Sequence, residues 1–161
     1  MRKLILLALL SLASCACRAQ LHAPTDVIKW DYKTSVDQMT DVRKDVAGIS
    51  AEYSFDFLKG PCYPYLQIRR SGKDLYILVL VTYGDFEQSD SSFVHIRFDK
   101  APMEVFRYSH GVDGESNIIR LGKGEYFLKR LRKAHTLLIK ALIDGKYGVM
   151  EFRVEIAQFF R

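Results

Sequence analysis

Apolar and polar residues alternate along much of the chain, which is the pattern of β-strands that each bury one face. Within residues 93–99, Val94, Ile96 and Phe98 share one side, and polar or charged residues dominate the other. The same period of two recurs at 49–57, 65–70, 103–108, 117–121 and 147–159. The pattern therefore predicts a set of strands that cover a common core.

One segment lacks the alternation. Residues 75–83 are apolar throughout and rich in β-branched side chains, which predicts a central strand buried on both faces. A Ser-Gly-Lys-Asp turn at 71–74 separates this segment from the strand at 65–70. The two segments are therefore expected to form a β-hairpin.

A single helix is expected late in the chain. Within residues 125–135 the apolar side chains recur at helical spacing while the cations fall on other faces. A strand at 136–143, an Asp-Gly turn and the final strand should follow. With about eight strands at intervals of 8–12 residues, we expect a mainly β fold. Two architectures fit it, a two-sheet antiparallel β-sandwich and a flattened barrel, each with one late α-helix.

The first residues carry the marks of an export signal. Residues 1–14 combine a positive start with an apolar stretch too short to span a membrane, followed by small residues. Two cleavage sites fit. Leu-Ala-Ser-Cys at 12–15 matches a bacterial lipobox, which would make Cys15 the lipidated first residue, whereas ordinary cleavage would follow Ala19. We expect a tether over 15–25 and a single domain over 26–161.

Processing also changes the charge. The whole chain carries 24 basic and 19 acidic residues, a net charge of +5. Loss of residues 1–14 removes two cations and leaves +3, and cleavage after Ala19 leaves +2. The mature domain is therefore only weakly basic, and we expect no nucleic-acid partner.

The sequence offers little conventional catalytic chemistry. It has no P-loop, dinucleotide-binding, esterase or zinc-protease motif, so we expect no cofactor, no metal and no enzymatic activity. Cys62 lies in a Gly-Pro-Cys-Tyr-Pro turn and is interpreted as a structural thiol. It could pair with Cys17 if Cys15 is lipidated.

Two groups of side chains are candidate sites. Arg97 and Asp99 fall on the same side of the predicted strand, where they could form a register-fixing ion pair or bind a ligand. Four cations of the predicted helix could instead form a solvated face or a patch that contacts an anionic surface. They are Lys129, Arg130, Arg132 and Lys133.

The order of these parts resembles that of small exported bacterial β-sandwich proteins. The shared features are an early Trp30, a Leu-x-Ile-Arg strand at 66–69, Ile-Arg-Phe-Asp at 96–99 before a proline, and a Phe-x-x-x-Leu-x-x-Ala helix at 127–134. The groups it resembles are the VasI-like accessory proteins of type VI secretion and, more distantly, the invasion-associated locus B proteins. The resemblance implies no catalytic residues. Arg70 stands where such domains often have a cysteine.

From these observations we expect an exported, lipid-anchored protein with a non-catalytic binding or accessory role in the bacterial cell envelope, in the periplasm or at the outer membrane. Its partner would be an envelope protein or an anionic envelope surface, with the membrane reached through the N-terminal lipid. Two alternatives remain open: an inhibitor that plugs a partner enzyme with the loop at 84–92, and a hydrolase that uses scattered carboxylates.

Overall fold

A computed structural model describes residues 29–57, 60–88, 92–111 and 114–155. The expected export signal, Cys15, Cys17 and the tether lie outside these residues. The strands of the first part of the chain are β1 (Asp31–Val36), β2 (Arg43–Ser50), β3 (Phe55–Phe57), β4 (Gly60–Cys62), β5 (Tyr65–Ser71) and β6 (Asp74–Leu80). The later elements are β7 (Phe93–Phe98), β8 (Glu104–His110), β9 (Ile118–Leu121), α1 (Gly124–Leu131), β10 (Thr136–Ile143) and β11 (Lys146–Arg153).

Nine strands form one antiparallel sheet in the order β1-β2-β5-β6-β9-β8-β7-β10-β11, and β3 and β4 form a separate small hairpin. The mainly β class with one late helix is confirmed. The described strands remain an open, sandwich-like sheet rather than a closed barrel.

Strand β8 joins the two halves of the large sheet. Its first residues, Glu104 to Arg107, pair with β7, and its last residues, Tyr108 to His110, pair with β9. The strand therefore belongs to both halves, with β1, β2, β5, β6 and β9 on one side and β7, β10 and β11 on the other. One hydrophobic core contains side chains from both halves.

The core follows the alternation in the sequence. Successive inward positions such as Leu66 and Ile68, or Val94 and Ile96, are fully buried, and no polar or charged side chain of the described residues is buried. The helix adds Phe127, whose ring packs edge-on against Phe98 and Phe106. Helix and sheet therefore share the same core.

Two predictions about individual strands are wrong. Strand β6 fully buries Ile77 and Val79, but Leu78 and Leu80 on its other face are only half-buried, so the segment does not bury both faces. The predicted strand at 49–57 is also interrupted. Strand β2 ends at Ser50, where its partner β5 begins after Pro64, and Pro64 has no amide hydrogen with which to extend the ladder.

The helix ends earlier than its periodicity suggests. It stops at Leu131, and residues 132–134 continue as a turn, with Lys133 and Ala134 donating to carbonyl groups three residues back. Ala134 is buried beyond the helix, which explains why the apolar spacing continues past Leu131. No helix of the described ranges is long and apolar enough to cross a membrane.

Candidate binding surface

The outward side of strands β7, β8, β10 and β11 carries several exposed hydrophobic side chains, and we call it the strand face. Strand pairing places four of its side chains in one row: Val105 opposite His95, His95 opposite Lys140, and Lys140 opposite Val149. Neighbouring strands lie about 4.8 Å apart, so this row spans roughly 14 Å. Backbone hydrogen bonds therefore fix the surface before any partner arrives.

Large hydrophobic side chains stand in water on the strand face. The exposed fractions are 45% for Phe93, 54% for Val105, 62% for Tyr147 and 57% for Val149. Leu138 and Leu142 lie between them and are half-buried. Several exposed hydrophobic side chains on one face of a sheet are typical of an interaction site.

The charges of the strand face are mostly positive. Arg97, Arg107 and Lys140 are exposed, and the ammonium group of Lys140 lies 4.6 Å from the centroid of the Tyr147 ring. Glu151, opposite Leu138, supplies a half-buried carboxylate on the same face. The surface therefore combines apolar side chains with an excess of cations.

His95 lies within the central row. Its ring meets that of Phe93 edge-on, with 5.2 Å between the centroids. Its Nδ1 atom is shielded from solvent and has no hydrogen-bond partner among the described residues. A buried nitrogen without a partner costs stability relative to a hydrogen-bonded one.

The outward side of β2, β5, β6 and β9 differs, and we call it the covered face. The ring of Tyr65 lies over Gly48, in the space that a β-carbon at that glycine would need. The guanidinium group of Arg120 lies 4.2 Å from the centroid of the Tyr76 ring. Because side chains cover one another here, Leu78 is half-buried rather than exposed.

Arg97 and Asp99 do not act as a pair. Asp99 follows β7 in a left-handed conformation, with φ at 50°. Its Oδ1 accepts hydrogen bonds of 2.8 Å from the backbone N–H groups of His135 and Thr136. Arg97 points outward on the strand face. Asp99 is thus a structural residue that fixes the start of β10, and the predicted ion pair is replaced by bonds to the backbone.

These bonds also lower the pKa of the Asp99 carboxyl, chiefly through the backbone of Thr136 and then that of His135. A carboxylate that accepts two amide hydrogens is stabilised in its charged form. The charge of Asp99 is therefore used to hold the connection between α1 and β10.

The four cations of the predicted patch separate into two kinds. Lys129, Arg132 and Lys133 are exposed. Arg130 is half-buried, with its guanidinium group 2.8 Å from the Glu104 carboxylate and over the ring of Phe98. The expectation that all four stand in water is therefore wrong for Arg130, because Glu104 on β8 neutralises it.

Cys62 and the carboxylates of Asp85 and Asp144 have structural roles. Cys62 is buried, and burial raises the pKa of its thiol, which makes it a poor nucleophile. Asp144 accepts a 3.0 Å hydrogen bond from the backbone of Asp85, and Ser116 donates one of 2.5 Å to the Asp85 carboxylate. In the described ranges, no group of three or more potential ligands is arranged to hold a metal ion.

The sequence interpretation missed most of the strand face. It treated Tyr147 and Val149 only as members of an alternating strand and Val105 as part of another. The available signal was an apolar residue at an outward position, where alternation predicts a polar one. That signal becomes informative only when the strand order brings such positions together.

No protein-family model matches the chain, and neither a curated protein nor a solved structure matches it.

Proposed function

We propose that this chain is an exported protein of the bacterial cell envelope, lipid-anchored through Cys15, with a non-catalytic binding or accessory role. The export signal and the lipobox at residues 12–15 support the location. The observation that carries the binding role is the exposure of four large hydrophobic side chains on the strand face.

The partner we propose is an envelope protein with a mixed acidic and apolar surface. The apolar side chains of Phe93, Val105 and Val149 would be buried against it, and their backbone positions are already fixed by the sheet. Arg97, Arg107 and Lys140 would face its carboxylates. Such complementary charges speed association and reject wrongly charged partners.

The same charges argue against a second copy of this chain as the occupant. Two strand faces brought together would oppose Arg97, Arg107 and Lys140 to the same cations of the other copy, and Glu151 would offset only part of this charge. Like charges directly opposite one another are destabilising. An acidic partner is therefore favoured over self-association.

Site-specific photo-cross-linking in cells tests the binding role. A photoreactive amino acid is placed at Val105 or Val149, and at Ser50 on the covered face as a matched exposed control. The first two positions should capture the same partner, attached at an acidic segment, and Ser50 should not. Equal capture from both faces, or none from the strand face, contradicts the proposal.

Lipid attachment has its own test. Metabolic labelling with a palmitate analogue should mark the wild-type protein, and Cys15→Ala should abolish the label. A soluble mature chain that begins at Gln20 would show that the second cleavage site is used.

A further inference from the structure

Three segments of the chain meet at one end of β11, and we call this region the basic end. They are the turn at 99–101, the turn at 132–135 and the end of β11 at 153–155. The Asp99 carboxylate binds the backbone of His135 and Thr136, Thr136 pairs with Arg153, and the N–H of Val154 donates to the carbonyl of His135 at 2.8 Å. These bonds hold the three segments in fixed positions.

The start of the described chain lies near the basic end. Asp31 pairs with Gly48 near the end of β2. Beyond Gly48 the chain leaves β2 and reaches Glu52. The backbone N–H of Glu52 donates to the Glu151 carbonyl at 2.7 Å, and its carboxylate lies 2.6 Å from the Arg153 guanidinium group. A tether that precedes Lys29 therefore enters the domain beside the end of β11.

The exposed charges at the basic end are mainly positive. Lys100, Arg132 and Lys133 are exposed, and Lys129 is exposed in the last turn of α1. The only exposed carboxylate of these three segments is that of Glu155, since Asp99 is bonded to the backbone. Lys129, Arg132 and Lys133 are close together in the sequence, and the fold adds Lys100 from the turn that follows β7.

We propose that the basic end rests on anionic phospholipid head groups and sets the orientation of the anchored domain. This inference rests on the proposed lipid anchor at Cys15. Thirteen residues lie between Cys15 and Lys29, and the length of a fully extended chain limits the distance between the two to about 50 Å. Such a tether keeps the cations close enough for a few of them to act on a charged membrane.

The orientation has a consequence for the binding surface. Strands β7, β10 and β11 would stand away from the membrane, with the Asp144-Gly145 turn at the far end. The strand face would then be presented sideways to a partner in the envelope. Lys146 lies at the far end of β11, about 23 Å from Arg153 at the rise of an extended strand.

Chemical footprinting of lysines on the full mature chain tests the orientation. The lipidated protein is placed in vesicles of phosphatidylethanolamine and phosphatidylglycerol, or in vesicles of phosphatidylcholine alone, and acetylated briefly. Lys100 and Lys133 should react several-fold more slowly on the anionic vesicles, and Lys146 should react equally on both. Raising the salt concentration should remove the difference, because ions screen the attraction.

Charge variants sharpen the test. Lys100→Gln combined with Lys129→Gln should restore the reactivity of Lys133 on anionic vesicles, whereas Lys146→Gln should leave it slow. Equal protection of Lys133 and Lys146, or none on a chain that carries the palmitate label, overturns the orientation. Loss of the label itself contradicts only the anchor. In that case the Cys15→Ser chain, footprinted with the same vesicles at low salt, should still show protection of Lys133, and its absence overturns the inference.

Discussion

The two outer faces of this sheet are built from the same kind of strand, but their side chains differ in how much surface they expose. On the covered face, Tyr65 lies over Gly48 and Arg120 over Tyr76, so side chains on neighbouring strands shield one another. On the strand face, Lys140 lies over Tyr147, yet Tyr147 and Val149 stay more than half exposed. The apolar area that a strand residue exposes therefore depends on its cross-strand neighbour as much as on the residue itself.

The largest effect on stability should come from displacing the Tyr65 ring that shields the covered face. Gly48→Val would place a branched side chain where the Tyr65 ring lies, and we expect a loss of about 1–3 kcal/mol in the free energy of unfolding. Chemical denaturation measures it. The matched change on the strand face, Val105→Ala, should stay within about 0.5 kcal/mol because that side chain is exposed. Equal losses would contradict the contrast between the faces.

Charge reversal should separate binding from stability. Lys140→Glu should weaken partner capture by tenfold or more, an effect of about 1.4 kcal/mol, because it reverses a cation in the central row of the strand face. The melting temperature should hardly change. Lys44→Glu on the covered face is the control, and it should leave capture intact. Capture is quantified with the partner identified by cross-linking.

Arg97 and Asp99 should behave in opposite ways. Asp99→Ala removes the acceptor of two backbone hydrogen bonds and should cost about 1 kcal/mol of stability, a low value because the carboxylate is near solvent. Arg97→Ala should leave stability unchanged and weaken capture. Thermal melts and binding curves on both variants check this. If the Asp99→Ala protein keeps its stability but no longer captures the partner, Asp99 is a binding residue and the prediction is wrong.

The smallest expected effect is a loss of stability at the β1–β2 turn at low pH. A hydrogen bond from Lys44, then one from the backbone of Met39, helps lower the pKa of Asp37 to about 2 from its usual 3.8. A lowered pKa stabilises the folded state at any pH above the ordinary pKa of the group. This contribution is lost as the pH falls from about 4 to 2. NMR titration should show the β1–β2 turn responding in that window. Asp37→Asn should remove the response. A midpoint near 3.8 would contradict the prediction.

Local pattern predicted much of the fold. The alternation at 93–98 became β7, the turn at 71–74 joined β5 to β6, and the Asp-Gly turn joined β10 to β11. Strand β1 was not predicted because all six of its side chains are exposed, so its sequence does not alternate between buried apolar and exposed polar residues. The predicted helix was too long because Leu138, which belongs to β10, falls at the same apolar spacing as the residues of α1.

The candidate site was harder to predict because it depends on contacts between distant segments. Nothing local to Asp99 shows that its carboxylate binds the backbone at His135, and nothing near Arg130 shows that Glu104 will neutralise it. The strand face likewise exists only because β7 lies between β8 and β10. Strand order is a long-range property, so the residues near any one strand do not reveal which strands will be its neighbours.

The shared strand β8 has a consequence for how the chain folds. The β7–β8 hairpin is local and can form early, but β9 must then insert between β6 and β8, where Leu80 meets Ile118 from far along the chain. The half that contains β1, β2, β5 and β6 is incomplete before that insertion, so the loop-closure entropy of joining it to β8 falls on one late step. On the export route that we propose, the two halves of the sheet could therefore join only after β9 has left the translocation channel.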